Sequence, residues 1–304
     1  MKIIITGATS FIGLHLMQYL LDEGHEVIAV CRKNSRNLAS LVNKNVEIVF
    51  SDMQEYSTLG NKIINADAFI NLAWGGTTHK ERFNNDIHEE NIKYSLDALE
   101  VAENIGCKIF VEAGSQAEYG ICTQLITTDT PTIPFSDYGK AKLRMKQLAF
   151  EKSEKMAIKY LHLRIFSTYG EGDKPWTMII SCLNKMLNNA PVELSPCTQK
   201  WNFLYVKDAV KQIAKLIEYG INTNSFKHEV FHIASKDTRV LKDFILEMKS
   251  ITNSNSDLLF GAIQPQQLVS LDPDISKTEN AIGFISNHTF ENGISHIINN
   301  MRND

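Results

Sequence analysis

The beginning of the chain places a strand, a glycine turn and a helix in immediate succession, and this order limits the fold more than any other feature. Residues 2–6 (KIIIT) are apolar and rich in β-branched residues, which is typical of a parallel strand buried on both faces. Gly7 and Gly13 bound the turn, and LHLMQYLLDEG then has the spacing of an amphipathic helix that ends at Gly24. A second apolar strand, EVIAV, completes a βαβ unit.

The rest of the first half continues this alternation. Strands are predicted at 2–6, 26–31, 46–50, 67–72, 108–113 and 159–165, and helices at 11–23, 35–43, 58–65, 86–105 and 136–156. Strands that alternate with helices predict an α/β fold, a Rossmann-type doubly wound parallel sheet.

The chain is expected to have two parts. Residues 1–170 are predicted to form the cofactor-binding Rossmann domain. Beyond them the spacing becomes irregular, with a helix near 176–188, so residues 171–304 are predicted to be mainly a smaller, mixed C-terminal substrate lobe. Two segments of that half, 203–219 and 230–234, are expected to return to the first domain.

The glycine turn stands where a strand meets a helix N-terminus. Free backbone N–H groups and the helix dipole attract a pyrophosphate at such a place. The turn therefore predicts a dinucleotide site. The alternative is a strand–helix turn that merely contains glycines.

Tyr138 and Lys142 are the strongest chemical signal in the chain. They lie four residues apart in SDYGKAKLR, so on a helix both side chains project from one face. A phenol titrates at about pH 10 in water, and a neighbouring ammonium lowers its pKa toward the range of efficient proton transfer. Ser115 precedes the pair, at the predicted end of a strand. Together these side chains predict a proton-transfer site.

These features resemble the extended short-chain dehydrogenase/reductase family of nucleotide-sugar epimerases, dehydratases and reductases, over nearly the whole chain. The similar segments are TGATSFIG (6–13), FINLAW (69–74), ENIKYSLDALEVAENIG (90–106), GSQAEYG (114–120), LRIFSTYGEGD (163–173) and WNFLYVKDAV (201–210). TGATSFIG is similar to the family's TGxxGxxG, with Ser10 in place of the middle glycine. Asn91 stands where the family has a helix that begins at an Asn.

The resemblance implies a role for each catalytic residue. Tyr138 donates a proton to a carbonyl oxygen while the nicotinamide delivers hydride to the carbon. Ser115 hydrogen-bonds the same oxygen, and Lys142 lowers the phenol pKa and anchors the cofactor ribose. For Ser115 alone, the alternative is a strand-end serine that satisfies a backbone group. Asn91 is expected either to hold a water in a proton relay or to cap its helix.

The resemblance also predicts which residues line the cofactor. They are Gly7, Thr9, Ser10, Phe11, Ile12, Gly13, Arg32, Lys33, Asp52, Met53, Leu72, Ala73, Trp74, Asn91, Tyr138, Lys142 and Ile165. Asp52 is expected to contact the adenine edge.

The end of the second strand distinguishes the two nicotinamide cofactors. An acidic residue there would bind the ribose hydroxyls and repel a 2′-phosphate. This chain instead has Cys31, followed by Arg32 and Lys33, with Arg36 one turn further. Cations at this place favour a 2′-phosphate, so NADP(H) is expected rather than NAD. The alternative is a solvated basic loop.

The residues after Ser115 restrict the reaction. The family's 4,6-dehydratases carry an Asp-Glu pair there, whereas this chain has Gln116 and Ala117, and neither can shuttle a proton at neutral pH. Glu118 comes one position too late. The sequence therefore predicts an NADPH-dependent 4-ketoreductase of a nucleotide-activated 4-keto-6-deoxy sugar. The alternatives are a nucleotide-sugar 4-epimerase with tightly bound NAD and a non-catalytic NADP-sensing protein.

The predicted substrate contacts depart from the family at several positions. They are Thr77, Thr78, His79, Gln116, Ser167, Trp176, Trp201 and Asn202. Trp201 and Asn202 replace an Arg-Asp pair, and Ser167 replaces an Asn. Gln266 and Gln267 lie where a diphosphate-binding Arg is common, which leaves Lys200 or Arg239 as candidate substitutes.

Composition narrows the partners and the compartment. A net charge of −4 disfavours nucleic acid and anionic membranes, and no apolar stretch approaches the length of a membrane span. The N-terminus is itself a predicted core strand, so a cytoplasmic protein is expected. The five cysteines and nine histidines lack metal-ligand spacing, so reduced thiols and no metal site are expected.

The predicted helices 86–105 and 136–156 carry more apolar residues than one stripe requires. These residues are Ile87, Ile92, Leu96, Leu99, Val101, Leu143, Met145, Leu148 and Phe150. Such surface tends to be buried against a partner, and in the resembling family the two helices form a four-helix dimer interface. A twofold homodimer is therefore expected. The alternative is a monomer whose substrate lobe covers this surface.

Overall fold

A computed structural model of the protein describes residues 1–42, 44–264 and 269–303. Its strands are β1 (Lys2–Thr6), β2 (Glu26–Cys31), β3 (Glu47–Phe50), β4 (Ala68–Asn71), β5 (Ile109–Ser115), β6 (Lys159–Ile165), β7 (Ser167–Tyr169), β8 (Val192–Leu194), β9 (Lys200–Tyr205), β10 (His228–Ile233), β11 (Thr238–Val240) and β12 (Leu258–Phe260). Its α-helices are α1 (Phe11–Asp22), α2 (Asn85–Asn104), α3 (Asp137–Ser153), α4 (Met178–Leu187), α5 (Val206–Asn222), α6 (Leu241–Ile251), α7 (Ser276–Ile282) and α8 (Phe290–Asn303).

The central sheet consists of seven parallel strands in the order β10-β6-β5-β4-β1-β2-β3. The chain runs from β1 to β3 toward one edge and then crosses back to place β4 on the other side of β1. The strand order therefore reverses between β1 and β4. In open parallel sheets, ligands bind outside the carboxyl ends of the strands at such a point. The predicted doubly wound parallel sheet is confirmed.

Alternate residues of β1 enter separate apolar cores on the two faces of this sheet. Ile3 and Ile5 lie in the core that also contains residues of α1 and α5, whereas Ile4 lies in the core with residues of α2 and α3. All three side chains are fully buried. Because helices cover both faces, the strand needs apolar residues at every position, which explains its continuous apolar run.

A smaller, mixed lobe follows the central sheet in the sequence. It contains a three-stranded sheet, β11-β9-β7, and a two-stranded sheet, β12-β8. Only β11 and β9 pair antiparallel within these two sheets of the described chain. Two elements of the C-terminal half lie with the central sheet instead, since β10 pairs with β6 and α5 packs on α1. The domain boundary at residue 170 stays a prediction.

Two predicted helices are wrong. The segment predicted at 35–43 contains a 3₁₀-helix at Leu38–Leu41, and the segment predicted at 58–65 overlaps only the end of a 3₁₀-helix at Met53–Asn61. Asn43 lies outside the described residues. Neither 3₁₀-helix has a side-chain hydrogen bond at its N-cap. An α-helix in either segment would therefore have no side-chain acceptor for the unpaired N–H groups of its first turn. In the second, Tyr56 and Leu59 are buried three residues apart, the repeat of a 3₁₀ turn. No helix among the described residues is both long and apolar enough to span a bilayer.

Candidate active site

The carboxyl end of β5 and the first turn of α3 bring the predicted catalytic residues together. β5 ends at Ser115, and the side chain of Ser136 caps α3 by accepting the N–H of Gly139 at 3.1 Å. A Cβ at Gly139 would overlap the carbonyl oxygen of Ala117, so glycine lets the helix start lie directly on the segment after Ser115. Tyr138, the second residue of α3, is therefore held beside the end of β5 and is 9% exposed.

Lys142 lies one turn along α3, and its ammonium points to β5. The residue is 2% exposed, and its Nζ donates to the carbonyl oxygen of Ala113 at 2.7 Å. Nζ also lies 3.4 Å from Glu112 Oε1 and 3.5 Å from the centroid of the Trp74 ring. The same indole meets the ring of Tyr138 edge-on, with centroids 6.3 Å apart. Trp74 thus contacts both the lysine and the tyrosine.

Ser115 takes part in a capping box at the start of the Gln116–Glu118 3₁₀-helix. Its Oγ accepts the N–H of Ala117 at 3.2 Å, and the carboxylate of Glu118 accepts the N–H of Ser115 at 2.8 Å. A hydroxyl has one donor and two acceptor positions, so the O–H of Ser115 remains available to donate. Satisfying the backbone and binding a substrate oxygen are therefore compatible roles for this serine.

The glycine turn has the backbone geometry of a pyrophosphate site. Gly7 has a φ of +66°, and a Cβ there would lie 2.9 Å from the backbone nitrogen of Ala73. Ser10 Oγ caps α1 by accepting the N–H of Gly13 at 3.1 Å. Its φ of −75° requires no glycine, which explains why serine is accommodated at this position. The N-terminus of α1 therefore stands at the switch point between β1 and β4, where the turn fits a dinucleotide phosphate.

The loop after β2 packs against this turn. Ser35 Oγ donates to Thr9 Oγ1 at 2.6 Å, and Asn37 Nδ2 donates to the carbonyl oxygen of Thr9 at 3.0 Å. Arg32 and Lys33, at the start of the loop, are exposed. The remaining predicted cofactor residues lie at the same edge of the sheet: Phe11 and Ile12 open α1, Asp52 and Met53 follow β3, Leu72 and Ala73 follow β4, and Ile165 ends β6.

Comparison with known proteins identifies the family. Residues 3–234 match the sequence model of the NAD dependent epimerase/dehydratase family. The chain belongs to this family. The resemblance inferred from the sequence motifs is confirmed, and with it an enzyme class that uses a nicotinamide cofactor.

Two relatives of the chain are named for enzymes that act on nucleotide-linked sugars. The chain is 26% identical over 270 residues to the CDP-abequose synthase of Salmonella muenchen, covering 86% of this chain and 84% of the relative. It is 27% identical over 226 residues to the dTDP-6-deoxy-L-talose 4-dehydrogenase (NAD(+)) of Aggregatibacter actinomycetemcomitans, covering 71% and 80%. Among solved structures, it resembles the UDP-glucuronic acid 4-epimerase of Bacillus cereus in complex with UDP-glucuronic acid and NAD, with a TM-score of 0.85, 22% identity and coverage of 100% and 99%.

Asn91 departs from its expected place in the family's helix. α2 begins at Asn85, and its N-cap is Asn84, whose side chain accepts the N–H of Ile87. The prediction that Asn91 starts or caps the helix is therefore wrong. Asn91 is 2% exposed, and its amide holds the backbone of Gly75 from both sides, with Oδ1 accepting the N–H at 2.9 Å and Nδ2 donating to the carbonyl oxygen at 3.0 Å. It fixes the loop that carries Trp74.

The predicted substrate residues fall into an exposed group and a buried group. Thr77, Thr78, His79 and Trp176 are exposed, the last at 62%, and Gln116, Ser167 and Trp201 are partly buried. Thr77 contacts the segment that follows β7, because Lys174 Nζ lies 3.4 Å from its Oγ1.

Asn202 belongs to the buried group. It is fully buried, and its amide binds the backbone N–H and carbonyl of Ser235 and the hydroxyl of Thr238. These contacts fix the loop that precedes β11. Both the oxygen and the nitrogen of the Asn202 amide are therefore hydrogen-bonded to protein groups rather than to solvent.

The suggested substitute cations are already engaged. Lys200 forms an ion pair with Asp272 at 2.7 Å, and Arg239 pairs with Asp237 at 2.8 Å and Glu247 at 2.6 Å. Gln266 and Gln267 lie outside the described residues.

Arg82 contacts Tyr138 and is a candidate site residue that the sequence analysis did not identify. It lies in the 3₁₀-helix Glu81–Phe83, and its guanidinium carbon lies 4.7 Å from the centroid of the Tyr138 ring. Neither Arg82 nor Lys174 forms a salt bridge with another residue of the described ranges. The spacing of 56 residues between Arg82 and Tyr138 gave no local signal for this contact.

Two buried glutamates were also missed as parts of the site. Glu112 and Glu118 are fully buried at the end of β5, beneath the predicted catalytic residues. Burial raises the pKa of Glu112, although the Lys142 ammonium and the Asn71 amide act in the opposite direction. A glutamate within the apolar run IFVEAGS was a local sequence signal, because a strand buried on both faces seldom contains a charge without a function.

Glu118 connects β5 to the neighbouring strand β6. Its carboxylate is 2.8 Å from His162 Nε2 and accepts the Nε–H of Arg164 at 2.8 Å. Burial acts to raise the pKa of Glu118, but burial also lowers the pKa of His162 and leaves its ring uncharged at neutral pH. The hydrogen bonds from His162 and the Ser115 N–H and the charge of Arg164 outweigh the burial of Glu118 and lower its pKa to about 2. Arg164 continues the network to the hydroxyl of Tyr119 at 2.6 Å. The second carboxylate near the site is therefore held by structural partners, which argues against its use as a catalytic acid.

Proposed function

We propose that this protein catalyses the NADPH-dependent reduction of the keto group of a nucleotide-activated 4-keto-6-deoxy sugar. The observation that carries the proposal is the meeting of Ser115, Tyr138 and Lys142 at the carboxyl edge of a dinucleotide-binding sheet. Gln116 and Ala117 follow the serine, so the acid–base pair needed to eliminate water is missing from those two positions.

The relatives support the choice of substrate class. One is named for the synthesis of CDP-abequose, and another is named a 4-dehydrogenase of dTDP-6-deoxy-L-talose. Oxidation of a hydroxyl at C4 is the reverse of reduction of a C4 ketone, so the same arrangement of acid and cofactor serves both directions.

Each catalytic residue has one task in the proposed step. The reduced nicotinamide, when bound, supplies the hydride that attacks the carbonyl carbon. Tyr138 transfers its O–H proton to the carbonyl oxygen, which balances the added hydride and gives an alcohol and a phenolate. Ser115 donates its O–H to the same oxygen and stabilises the charge that develops there. Lys142 places a cation beside the phenolate until a proton from solvent replaces the one transferred.

The proposed preference for NADPH rests on the loop after β2. No acidic residue stands at the end of that strand, where Cys31 is followed by Arg32 and Lys33. Hydrogen bonds from Ser35 and Asn37 to Thr9 hold this loop against the glycine turn, which supports the proposal that its cations bind the 2′-phosphate of the cofactor. The family description and one of the two relatives, the dTDP-6-deoxy-L-talose 4-dehydrogenase (NAD(+)), name NAD, so the cofactor preference is tested separately from the reaction.

Arg82 and Lys174 are the proposed partners of the substrate diphosphate. Across a sugar ring, the anomeric phosphate lies opposite C4, so a substrate with its C4 at Tyr138 extends away from the tyrosine hydroxyl. Arg82 on the ring of Tyr138 and Lys174 beside Thr77 supply positive charge on that path. This charge takes the place of Lys200 and Arg239, which are paired with carboxylates.

The proposal is tested with a panel of CDP-, dTDP- and UDP-linked 4-keto-6-deoxy sugars. Each is mixed with the purified protein and either NADPH or NADH, and loss of the reduced nicotinamide absorbance is followed. We expect stoichiometric oxidation of NADPH with at least one member of the panel, and formation of an alcohol at C4 by NMR.

The same preparation tests the epimerase alternative. Protein denatured in acid releases any tightly bound nucleotide, and a 4-epimerase would yield about one NAD per chain. Interconversion of C4 epimers without net NADPH oxidation would replace the reductase proposal. NADPH binding without turnover of any nucleotide sugar would favour the non-catalytic NADP-sensing alternative.

A further inference from the structure

The buried carboxylate of Glu112 lies directly against the lysine that the proposed function uses. Its Oε1 is 3.4 Å from Lys142 Nζ, and its Oε2 accepts a hydrogen bond from Asn71 Nδ2 at 2.8 Å. Glu112 is fully buried and Lys142 is 2% exposed, so solvent screens their interaction poorly. The carboxyl group and the ammonium therefore make a buried contact one helical turn along α3 from Tyr138.

The surroundings of Glu112 hold it in this one position. Asn71, which binds Oε2, also donates to Ser95 Oγ at 2.9 Å and accepts the hydroxyl hydrogen of Thr6 at 2.5 Å. These partners come from β1, β4 and α2, so three elements fix the amide that fixes the carboxylate. Lys142 is fixed in turn by the carbonyl of Ala113 and the ring of Trp74.

A carboxylate in this place changes what the lysine does to the tyrosine. A lone ammonium stabilises a nearby phenolate and so favours release of the phenol proton. An anion 3.4 Å from that ammonium offsets its field and so reduces the stabilisation that the ammonium can give to a phenolate. A protonated phenol is the form that donates in reduction, whereas oxidation requires the phenolate.

We propose that Glu112 is a positioning residue of the active site that holds the Lys142 ammonium against β5 and offsets its charge, so that Tyr138 stays protonated and the enzyme is biased toward reduction. This inference rests on the proposed function, because it assigns Tyr138 the part of proton donor. It concerns a contact on this chain's own strand β5 that the predicted catalytic trio does not include.

Several other titratable or charged groups lie around this pair, and a substitution at Glu112 does not change any of them. They are Tyr56, Arg82, His88, Glu118, Tyr138, Tyr160 and His162. They come from the 3₁₀-helices, from α2 and α3, and from the end of β5 and the adjacent strand β6. Because a single substitution at Glu112 leaves all of them in place, a change in pH dependence reports the carboxylate itself.

The experiment compares the pH dependence of kcat/KM for reduction in the wild-type protein and in the Glu112→Gln variant. The rate falls at alkaline pH as the proton donor ionises. Removing the carboxylate leaves the ammonium unopposed, so this alkaline limb should move to lower pH by about one unit, a tenfold change in proton concentration. The acid limb of the reverse oxidation should move in the same direction. Glu151→Gln, an exposed position on α3, is the matched control and should leave both limbs in place.

A second variant covers the case in which Glu112→Gln does not fold, since breaking a buried pair is destabilising. Glu112→Asp keeps the charge but draws it back from the ammonium, and its limb should move in the same direction by less. Circular dichroism and thermal unfolding verify that each compared variant is folded. If the folded variants lose rate or stability but keep the wild-type limbs, Glu112 only neutralises a buried lysine and the inference is overturned.

If the wild-type protein turns over no substrate of the panel, the proposed function fails, and this result is distinct from a failure of the inference about Glu112. In that case 3-fluorotyrosine incorporated at position 138 provides the same comparison by ¹⁹F NMR, without substrate or cofactor. The titration midpoint of this probe should lie lower in the Glu112→Gln variant than in the parent. Equal midpoints would overturn the inference whatever the reaction is.

Discussion

The ring of Trp74 contacts both Lys142 and Tyr138. Its ring receives the lysine ammonium on one face and meets the tyrosine ring edge-on, and its Nε1 donates to His88 Nδ1 at 3.2 Å. The side chain is therefore fixed at both its polar and its apolar parts. Because Lys142 is 2% exposed and Tyr138 is 9% exposed, solvent screens charges near these two side chains less than it would in solution.

The hydroxyl of Tyr138 should be required for turnover but not for folding. We expect Tyr138→Phe to bind NADPH like the wild type and to lose about 10²–10⁴-fold in kcat, the usual contribution of general acid catalysis. Ser115→Ala should lose about 10–100-fold, because one of two hydrogen bonds to the reacting oxygen survives. Steady-state kinetics with the best substrate of the panel and fluorescence titration with NADPH measure the two effects. A Tyr138→Phe rate within a few-fold of the wild type would remove the residue from the mechanism.

The guanidinium of Arg32 should act on the 2′-phosphate alone. Arg32→Ala is expected to weaken NADPH binding by roughly 1.5–3 kcal/mol, the contribution of a hydrogen bond to a charged group, and to leave NADH binding nearly unchanged. Calorimetric titration with both cofactors gives the comparison, and Arg302→Ala, an exposed arginine at the other end of the chain, serves as the control. Equal weakening of NADPH and NADH would mean that Arg32 does not contact that phosphate.

Local spacing in the sequence was enough to select Ser115, Tyr138 and Lys142 as candidate catalytic residues, but it did not reveal the contacts between distant segments. Tyr138 and Lys142 share a helical face because they are four residues apart, and Ser115 follows from a strand that ends in a recognisable motif. The contacts of Lys142 with Glu112 and of Arg82 with Tyr138 arise only when α3 and the Glu81–Phe83 turn pack against other elements. No periodicity in the sequence encodes which of several glutamates a buried lysine will meet.

The strands of the central sheet were predictable because both of their faces are buried. Runs such as KIIIT and EVIAV are apolar at every interior position, which marks them as buried strands. Their observed ends agree with the predicted ends to within about two residues. The segments at 35–43 and 58–65 are mostly polar and lie at the surface, where packing against one side decides their form. They fold as 3₁₀-helices, since residues three apart, such as Tyr56 and Leu59, supply the only buried contacts of the second one among the described residues.

The link between β5 and β6 through Glu118 should make stability fall in acid. The pKa of this carboxyl is lowered to about 2 from an ordinary value of about 4.3 in an unfolded chain. A carboxyl group whose pKa is lower in the folded than in the unfolded protein stabilises the fold at pH values above its unfolded-state pKa. This stabilisation is lost as the pH falls through the folded-state pKa. The contribution, roughly 3 kcal/mol at about 1.4 kcal/mol per unit, should therefore disappear between about pH 4.5 and pH 2.

The substitution Glu118→Gln separates this contribution from general acid unfolding. It should cost roughly 3–5 kcal/mol at neutral pH, because Arg164 is left buried without its carboxylate, and it should make the loss of stability between pH 5 and pH 3 shallower. Urea unfolding at several pH values measures the free energy of unfolding of the wild type, this variant and the exposed control Glu151→Gln. A variant whose stability falls as steeply as that of the wild type over this interval would contradict the assignment.

The segment that follows β7 makes polar contacts with α1 and with the loop after β4. His15 Nε2 on α1 lies 2.8 Å from the carbonyl oxygen of Glu171, and Tyr205 donates to the carboxylate of Glu171 at 2.7 Å. Lys174 Nζ of the same segment lies 3.4 Å from Thr77 Oγ1. These contacts join residues that are distant in the sequence, so the sequence pattern alone does not define them.

Burial within one chain reduces the apolar surface predicted for dimerisation. Ile92, Leu99, Val101 and Met145 are buried in the core beneath the sheet. A charge at Met145 would therefore disrupt the monomer itself. The apolar residues of α2 and α3 that stay partly exposed are Ile87, Leu96, Leu143, Leu148 and Phe150. A homodimer through these two helices would have to use this narrower stripe as its apolar interface.

We predict that the protein is a twofold homodimer through this stripe, and that a charge at Leu148 separates it. Desolvating a carboxylate against an apolar partner helix is unfavourable, whereas in a monomer Glu at this partly exposed position is tolerated. Light scattering should give twice the chain mass for the wild type at micromolar concentration and the chain mass for Leu148→Glu. Ile64→Glu is the matched control, because Ile64 is 90% exposed and lies outside both helices. Activity should fall with the dimer, since α3 carries Tyr138 in its first turn. A monomeric wild type at that concentration would show that the stripe has no partner in a second copy.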